Sequence, residues 1–294
     1  MSIFEGAGVA IATPYKQDLS VDYDEFDRLI DFQIENGTDA IIVCGTTGEA
    51  ATMSYEERTA VEKHAVEYIN KRVPVIIGTG ANNTAIAAQL SKEAEELGAD
   101  AVLVVTPYYN KATQNGLYEH FKAVAAAISI PLIIYNVPGR TGVSIEPQTI
   151  ARLYKDTSNV VAIKDAGGNL TATAMTRYLT DDGFTIYSGD DDLTVPMMSV
   201  GAKGVISVLS NIAPKQVHDM CAECLQGHFE EAGKMQVKMT PLVRMLFAEV
   251  NPIPVKKALE FLGYKSTYLR LPLTQCTEET ASKLKAEMQT YGLL

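Results

Sequence analysis

Short, continuously apolar runs alternate with longer amphipathic stretches along most of the chain, and this alternation constrains the fold more than any other feature. Predicted strands occupy residues 8–13, 39–44, 73–78, 100–106, 131–136, 160–164, 184–189 and 203–208. Strands that are apolar at nearly every position are typical of parallel sheets, in which both faces are covered. The pattern therefore predicts a parallel sheet with helices between its strands.

Amphipathic patterns fill the intervals between these strands. The predicted helices occupy residues 23–35, 55–70, 84–97, 114–127, 147–153, 170–179 and 191–200. Strands and helices in this order predict an α/β fold, a (β/α)8 TIM barrel. The competing fold is a doubly wound open sheet with a glycine fingerprint after its first strand. Gly6 and Gly8 instead precede a strand, and Ile11 occupies the place of the third glycine.

The strand pattern stops after residue 211, and four further helices are predicted at residues 213–225, 228–247, 254–262 and 278–290. A length of 294 residues suits one large α/β barrel with additions. We predict a (β/α)8 barrel catalytic domain over residues 1–224 and a C-terminal helical domain, an appendix to the barrel, over residues 225–294.

The charge balance narrows the possible partners. A formal net charge of −11 argues against binding to nucleic acid or to an anionic membrane surface, since both depend on clustered Lys and Arg. No apolar run approaches the roughly 18 residues needed to span a membrane, and the N-terminus lacks a signal-peptide pattern. The four cysteines are interpreted as reduced thiols, and we expect a cytoplasmic protein.

Polar side chains collect where the predicted strands end. In a (β/α)8 barrel this rim carries the chemistry, because the loops that follow the strands meet there. One lysine, three tyrosines, two threonines and one arginine converge on it. They are Thr46 and Thr47 after the second strand, Tyr108 and Tyr109 after the fourth, Tyr135 and Arg140 from the fifth, and Lys164 from the sixth. The seventh strand adds Gly189 and the eighth adds Ile206.

Lys164 is the residue that most needs an explanation, because four apolar residues lead directly into it. A lysine at the end of a strand is ordinarily solvated, with its stem lying along apolar surface. At the mouth of a barrel, partial desolvation favours the neutral amine instead. A neutral amine condenses with a ketone, and the resulting iminium group acidifies the adjacent carbon. This is the chemistry of class I aldolases, and it requires no metal or cofactor.

The neighbouring residues fit this chemistry, although each also has a structural interpretation. Tyr135 ends the adjacent strand and is a candidate general acid/base, or an aromatic core residue with a bonded hydroxyl. Thr46 and Thr47 suit a small carboxylate, or are turn residues. Arg140 follows a rigid turn and could hold a second carboxylate with both arms of its guanidinium group, or could be a solvated loop residue.

Metal and phosphate chemistry are disfavoured. The run 190–192 is three aspartates after the seventh strand, where a phosphate would be repelled, and we interpret it as the start of a helix rather than a magnesium site. His218, Cys221 and Cys224 follow one another at three-residue spacing, which does not place them on one helix face. We predict no metal site.

Taken in order, several stretches resemble the dihydrodipicolinate synthase family over essentially the whole chain. They are GTTGEAATM, VTPYYNKATQNGLYEHF, YNVPGRTG, IKDAGGNL, SGDD, GVISV and NPIPVK. The resemblance implies that pyruvate condenses with Lys164 and that the enamine then attacks L-aspartate 4-semialdehyde. The substrate's own amine cyclises and displaces the lysine. The product enters lysine and diaminopimelate biosynthesis.

The resemblance also implies how the catalytic residues work together. Tyr135 shuttles protons, and Thr46 links it to Tyr109. In this family Tyr109 crosses a subunit interface, so the active site requires at least a dimer. The family is usually tetrameric, a dimer of dimers, and we expect a homotetramer.

Substrate binding is implied in the same way. Thr47 and Ile206 hold pyruvate with Gly189 nearby, and Arg140 receives the carboxylate of the semialdehyde. Arg140 in its NVPGRTG context also favours the synthase over the related N-acetylneuraminate lyases and keto-deoxy sugar-acid aldolases. A sugar-acid lyase remains the alternative function. A non-catalytic keto-acid-binding regulator is a third possibility, but such a protein should lack the lysine, the tyrosine or the threonine.

One departure from the family concerns regulation. Members inhibited by lysine carry polar and acidic residues on the helices after the second and third strands. The matching positions here are Ala50, Tyr55, Arg58 and Ile86. An isoleucine cannot pair with the ammonium group of lysine, so we predict weak or absent lysine inhibition.

Overall fold

A computed structural model describes residues 2–294, and its centre is a closed barrel of eight parallel strands. The strands are β1 (Gly6–Ala10), β2 (Ala40–Val43), β3 (Val75–Gly78), β4 (Ala101–Val105), β5 (Leu132–Asn136), β6 (Val160–Asp165), β7 (Thr185–Ser188) and β8 (Gly204–Ser207). Each strand pairs with its neighbours in chain order, and β8 pairs with β1 to close the ring. The predicted (β/α)8 barrel is confirmed, and the open sheet is excluded.

Helices follow the strands as the amphipathic patterns predicted. They are α1 (Tyr23–Glu35), α2 (Tyr55–Ile69), α3 (Thr84–Glu96), α4 (Gln114–Ala126), α5 (Pro138–Thr141), α6 (Pro147–Asp156), α7 (Leu170–Leu179), α8 (Thr194–Ser199), α9 (Pro214–Leu225), α10 (Phe229–Leu246), α11 (Ile253–Phe261) and α12 (Glu278–Tyr291). The sequence did not predict α5, because a single turn of helix has too few residues for a periodic pattern. This turn carries Arg140.

Side-chain caps define where several helices begin. Asn169 accepts a hydrogen bond from the backbone N–H of Ala172 at 3.1 Å, which satisfies a free donor at the start of α7. Thr113 does the same for α4, with Gly116 as donor at 3.2 Å. These caps fix the loops that join the rim of the barrel to the outer helices.

The barrel interior is filled by side chains rather than by solvent. Its cluster includes Ile42, Ile76, Leu103, Ile133 and Ile206, all at most 4% exposed. A second, larger core lies between the strands and the surrounding helices. The interior cluster therefore forms an apolar floor beneath the residues at the carboxyl ends of the strands.

The C-terminal helices contribute to the rim. Helix α9 packs against β1 and β8, α10 packs against α8, α9 and α12, and α11 contacts both α10 and α12. A break between α9 and α10 at residues 226–228 falls close to the predicted domain boundary. The connection from α10 to α11 carries Asn251 to the carboxyl end of the barrel, where it lines a cavity.

Residues 2–294 contain neither a membrane-spanning helix nor a cluster of metal ligands. None of the helices there combines the length and the apolar character needed to cross a bilayer. No group of three or more His, Cys, Asp or Glu side chains in that range could hold a metal ion. His218, considered above together with Cys221 and Cys224, forms a hydrogen bond with Asp39, in which its Nδ1 lies 2.9 Å from Oδ2.

Candidate active site

Lys164 and Tyr135 lie side by side at the carboxyl end of the barrel. They occupy paired positions on β6 and β5, so the register of the sheet sets their proximity. The Nζ atom of Lys164 lies 4.4 Å from the centroid of the Tyr135 ring. Only 5% of Lys164 and 8% of Tyr135 are exposed. The apolar run that precedes Lys164 is thus a barrel strand that delivers its amine to an enclosed site.

An inner cavity of about 70 Å³ surrounds this pair. It brings together six of the eight site residues predicted from the sequence, namely Thr46, Thr47, Tyr135, Arg140, Lys164 and Gly189. An adjoining outer cavity of about 420 Å³ shares Thr46, Tyr135 and Arg140 and extends towards Tyr108 and Ile86. The two cavities form a route from the surface to Lys164.

The loop after β2 carries the two threonines and is held in a tight conformation. Cys44 and Glu49, at its two ends, have φ values of 55° and 57°, in the left-handed region. The N–H of Glu49 donates to the carbonyl of Thr46 at 3.1 Å, which closes the turn. Thr47 is buried, whereas Thr46 is exposed at the mouth of the cavity. Successive N–H groups in such a turn suit an anion.

Asn251 is a site residue that reasoning from single residues missed. Its side-chain Nδ2 donates to Oγ1 of Thr47 at 3.0 Å, and its backbone carbonyl accepts from the guanidinium of Arg140 at 3.4 Å. One residue from the C-terminal segment thus contacts both predicted carboxylate-binding groups. The only signal for it was the NPIPVK stretch, which contributed to the family resemblance but suggested no role.

Gly189 is required by a close approach between two loops. A Cβ atom at this position would lie 2.7 Å from Cβ of Ala166 and 3.0 Å from its backbone nitrogen. The N–H of Gly189 donates to the carbonyl of Asp165 at 2.8 Å. The absence of a side chain lets the end of β7 reach the loop that follows Lys164.

Two of the predicted residues lie outside the lining of the cavities. Ile206 is fully buried in the interior cluster, beneath the site, and its side chain packs in the floor. Tyr109 is 90% exposed with a φ of 72° and lines neither cavity of its own chain. Among residues 2–294 no hydrogen bond joins Thr46 to Tyr135 or to Tyr109, so the predicted relay is not formed within one chain.

The aspartates after β7 have distinct environments. Asp191 is buried and accepts hydrogen bonds from Oγ of Ser207 and from the N–H groups of Val208 and Leu209, at 2.5, 2.9 and 3.1 Å. It therefore ties the β7 loop to the turn after β8. Burial raises the pKa of Asp191, and these donors oppose the shift. Burial also raises the pKa of Asp190, to about 6.

Comparison with known proteins identifies the family. Residues 3–291 match the model of the Dihydrodipicolinate synthetase family. The chain belongs to this family. The predicted resemblance is therefore confirmed, and with it the expectation of a lyase that forms a Schiff base.

Individual members of the family match over their full length. The chain is 52% identical over 294 residues to the 4-hydroxy-tetrahydrodipicolinate synthase of Lachnoclostridium phytofermentans, covering 100% of both chains. It is 53% identical to the same enzyme of Acetivibrio thermocellus, covering 99% of each. The crystal structure of the dihydrodipicolinate synthase from Aquifex aeolicus superposes with a TM-score of 0.96 at 46% identity, covering 99% of each chain. These relatives favour the synthase over the sugar-acid lyase.

Proposed function

We propose that this protein condenses pyruvate with L-aspartate 4-semialdehyde, as a 4-hydroxy-tetrahydrodipicolinate synthase of lysine and diaminopimelate biosynthesis in the cytoplasm. The observation that carries the proposal is the buried amine of Lys164 beside Tyr135, in a cavity that also contains Thr47 and Arg140. A primary amine in apolar surroundings is a nucleophile towards a ketone.

The reaction begins at Lys164. Its amine adds to the ketone carbon of pyruvate, and loss of water gives an imine. Removal of a proton from the methyl group gives an enamine, whose carbon attacks the aldehyde of the semialdehyde. The amine of the second substrate then attacks the imine carbon, closes the ring and releases Lys164. Tyr135, whose ring centroid lies 4.4 Å from Nζ of Lys164, is the residue assigned to move the protons in these steps.

The threonine turn holds the carboxylate of pyruvate. Thr46 and Thr47 both line the cavity, and Nδ2 of Asn251 donates a hydrogen bond to the hydroxyl of Thr47. Ile206 supports this end of the site from the floor of the barrel, and Gly189 lets the end of β7 pack closely against Ala166. Because the backbone of the turn and the hydroxyl of Thr47 are held by hydrogen bonds, pyruvate binds to a largely preformed site.

Assembly of several copies completes the site. We assign Tyr109 to the active site of a second subunit, where Thr46 links it to Tyr135, in a homotetramer built as a dimer of dimers. The support is that a large aromatic side chain is 90% exposed, on a residue with a φ of 72°, next in the chain to Tyr108, which lines the outer cavity. Such a side chain buries apolar area only against another molecule.

An assay with both substrates tests the proposed function. Purified protein mixed with pyruvate and L-aspartate 4-semialdehyde should form the cyclic product, measured by coupling to the reductase that consumes it. N-acetylneuraminate and 2-keto-3-deoxy sugar acids serve as competing substrates. Cleavage of either one, with no reaction of the semialdehyde, would establish the sugar-acid lyase in its place.

Substituting Arg140 should impair binding of the second substrate. Arg140→Ala removes a charge-assisted contact with a carboxylate, so we expect the KM for the semialdehyde to rise about 10- to 100-fold. The KM for pyruvate should change much less, because the threonine turn binds it. Arg140→Lys is the matched control, since it keeps the charge and loses the planar fork. An equal rise in both KM values in steady-state kinetics would contradict this role.

Lysine should inhibit this enzyme weakly or not at all. Ile86 lines the outer cavity and offers no partner for an ammonium group, while Arg58 is engaged with Glu62 at 2.8 Å. Tyr55 is likewise bound to Glu93, at 2.6 Å. Initial rates measured with increasing lysine should stay constant through the sub-millimolar range, and Ile86→Glu is the variant in which sensitivity should increase. Strong inhibition of the natural protein at such concentrations would refute the prediction.

A further inference from the structure

Asp190 supplies a carboxyl group to the inner cavity in addition to the residues considered above. Among residues 2–294, it is the single acidic residue that lines this cavity, where Lys164 and Arg140 are the cations. It follows Gly189 directly at the end of β7. Its position therefore places an acidic group in the same cavity as the predicted carboxylate-binding groups.

The backbone of Asp190 is firmly held, but its carboxylate has no partner. The N–H of Asp190 donates to Oγ of Ser188 at 3.2 Å, and its carbonyl accepts from that hydroxyl at 2.7 Å and from the N–H of Leu193 at 3.1 Å. Within residues 2–294, no group donates a hydrogen bond to its side chain or forms an ion pair with it. The adjacent Asp191 accepts three hydrogen bonds, so the difference is specific to Asp190.

A second hydrogen-bond acceptor without a donor lines the same cavity. Oδ1 of Asn251 is buried and has no hydrogen-bond partner among the described residues, although Nδ2 of the same side chain binds Thr47. A buried acceptor is normally satisfied, so Oδ1 of Asn251 indicates the place of a donor that arrives with a ligand, and the partly exposed carboxylate of Asp190 lines the same cavity. An ammonium group carries three N–H donors and a positive charge, which suits both acceptors.

The charged groups around Asp190 favour the binding of a cation to its carboxylate. Lys164 and Asp165 lie on β6, and Asp191 and Asp192 follow Asp190 in the chain. Arg244 of α10 and Glu287 of α12 line an outer groove together with Asp190. Burial, assisted by Asp192 and Asp191, raises the pKa of Asp190 to about 6, and Lys164 opposes this shift. The carboxyl is therefore largely ionised at neutral pH and incompletely compensated.

We propose that the Asp190 carboxylate, with Oδ1 of Asn251, binds the ammonium group of the second substrate and selects an amino-acid aldehyde over an aldehyde without an amine. This inference rests on the proposed function and deepens it. Beside the reacting amine of Lys164, Arg140 and Asp190 give the cavity a cationic and an anionic group, which matches a substrate with a carboxylate and an ammonium group. Pyruvate has no ammonium group, so Asp190 acts on the second substrate alone.

The variant Asp190→Asn tests the proposal with little change in shape. We expect the KM for L-aspartate 4-semialdehyde to rise on the order of tenfold, because a buried charge pair is lost. The KM for pyruvate should stay within twofold. The affinity for succinate semialdehyde, which lacks the amine, should not fall. In the natural protein the KM for the aspartate semialdehyde should decrease as the pH rises through about 6, and in the variant this dependence should disappear.

Asp192→Asn is the matched control. It removes the same charge two residues away, from an exposed side chain that does not line the inner cavity. An equal rise in the KM for the aspartate semialdehyde in both variants would overturn the proposal, because it would indicate a general effect of negative charge near the site. An equal loss of affinity for the two aldehydes in Asp190→Asn would also overturn it. If thermal denaturation shows that Asp190→Asn folds poorly, Asp190→Ser replaces it and should raise the KM for the aspartate semialdehyde relative to that for succinate semialdehyde. A ratio of these two KM values equal to that of the natural protein would overturn the assignment.

Trapping of pyruvate separates this test from a failure of the proposed function. Borohydride reduction depends on Lys164 and pyruvate but not on the second substrate. A natural protein that traps no pyruvate would refute the proposed function itself. Normal trapping in both proteins, with unchanged discrimination between the aldehydes in Asp190→Asn, would refute only the role of Asp190.

Discussion

Replacement of Lys164 by alanine is expected to abolish trapping of pyruvate and to lower kcat by roughly 10⁴- to 10⁶-fold, as for other enzymes that lose a nucleophile. Without the amine no imine forms, so the methyl group of pyruvate keeps its ordinary acidity and no enamine arises. The measurement is borohydride reduction in the presence of pyruvate, followed by peptide mass mapping. The natural protein should carry the adduct on the peptide that contains Lys164.

A second buried lysine makes this experiment discriminating. Lys256 is only 1% exposed, and its burial lowers its pKa to about 8, against the opposing effect of Glu49. Reactivity judged by burial alone would therefore favour Lys256. Lys256 does not line either cavity beside Tyr135, and it is paired with Glu49. An adduct on Lys256, or one that persists in Lys164→Ala, would contradict the mechanism. Lys155→Ala, at an exposed lysine of α6, is the control and should trap pyruvate as the natural protein does.

The sequence predicted those parts of the site that depend on local pattern. The apolar run ending in Lys164 gave both the strand and the place of its last side chain. Once consecutive strands are parallel neighbours, Tyr135 and Lys164 must meet, because the carboxyl ends of β5 and β6 share one rim. The family resemblance then added the substrates, which no local pattern contains.

Residues missed from the sequence depend on contacts between distant segments. Asn251 lies 204 residues from Thr47, and only the folding of the C-terminal helices brings them together. From the sequence, Asp190 is interpreted with its two neighbours as the start of a helix. A run of acidic residues does not indicate which carboxyl group lines a cavity. The role proposed for Tyr109 likewise depends on a contact that no local pattern describes, because it requires a second copy of the chain.

A buried ion pair connects the C-terminal helices to the threonine turn. Lys256 on α11 pairs with Glu49, and both side chains are 1% exposed. Nζ of Lys256 also donates to the carbonyl of Tyr268 at 2.8 Å, and it lies 4.2 Å from the ring centroid of Tyr15. Glu49 closes the turn that begins at Thr46. The pair therefore supports the conformation of the turn that is proposed to bind the carboxylate of pyruvate.

Such a pair is expected to matter more for position than for net stability. Desolvation of two charges largely offsets their attraction, so replacing both partners by neutral groups is often tolerated. Removing one partner is different, because the remaining charge stays buried without compensation. The left-handed backbone of Glu49 adds a further constraint, since it is maintained by the surrounding contacts.

The variant Lys256→Met should therefore lower the free energy of unfolding by about 3–5 kcal/mol, because Glu49 is left buried without a counterion. The double variant Lys256→Met with Glu49→Gln should recover most of this loss, as measured by urea unfolding of both variants and the natural protein. Where the single variant remains folded, the KM for pyruvate should rise more than kcat falls, since the threonine turn is loosened while Lys164 and Tyr135 stay in place. Equal destabilisation of the single and double variants would show that packing of the lysine stem, rather than the charge left on Glu49, holds the two segments together.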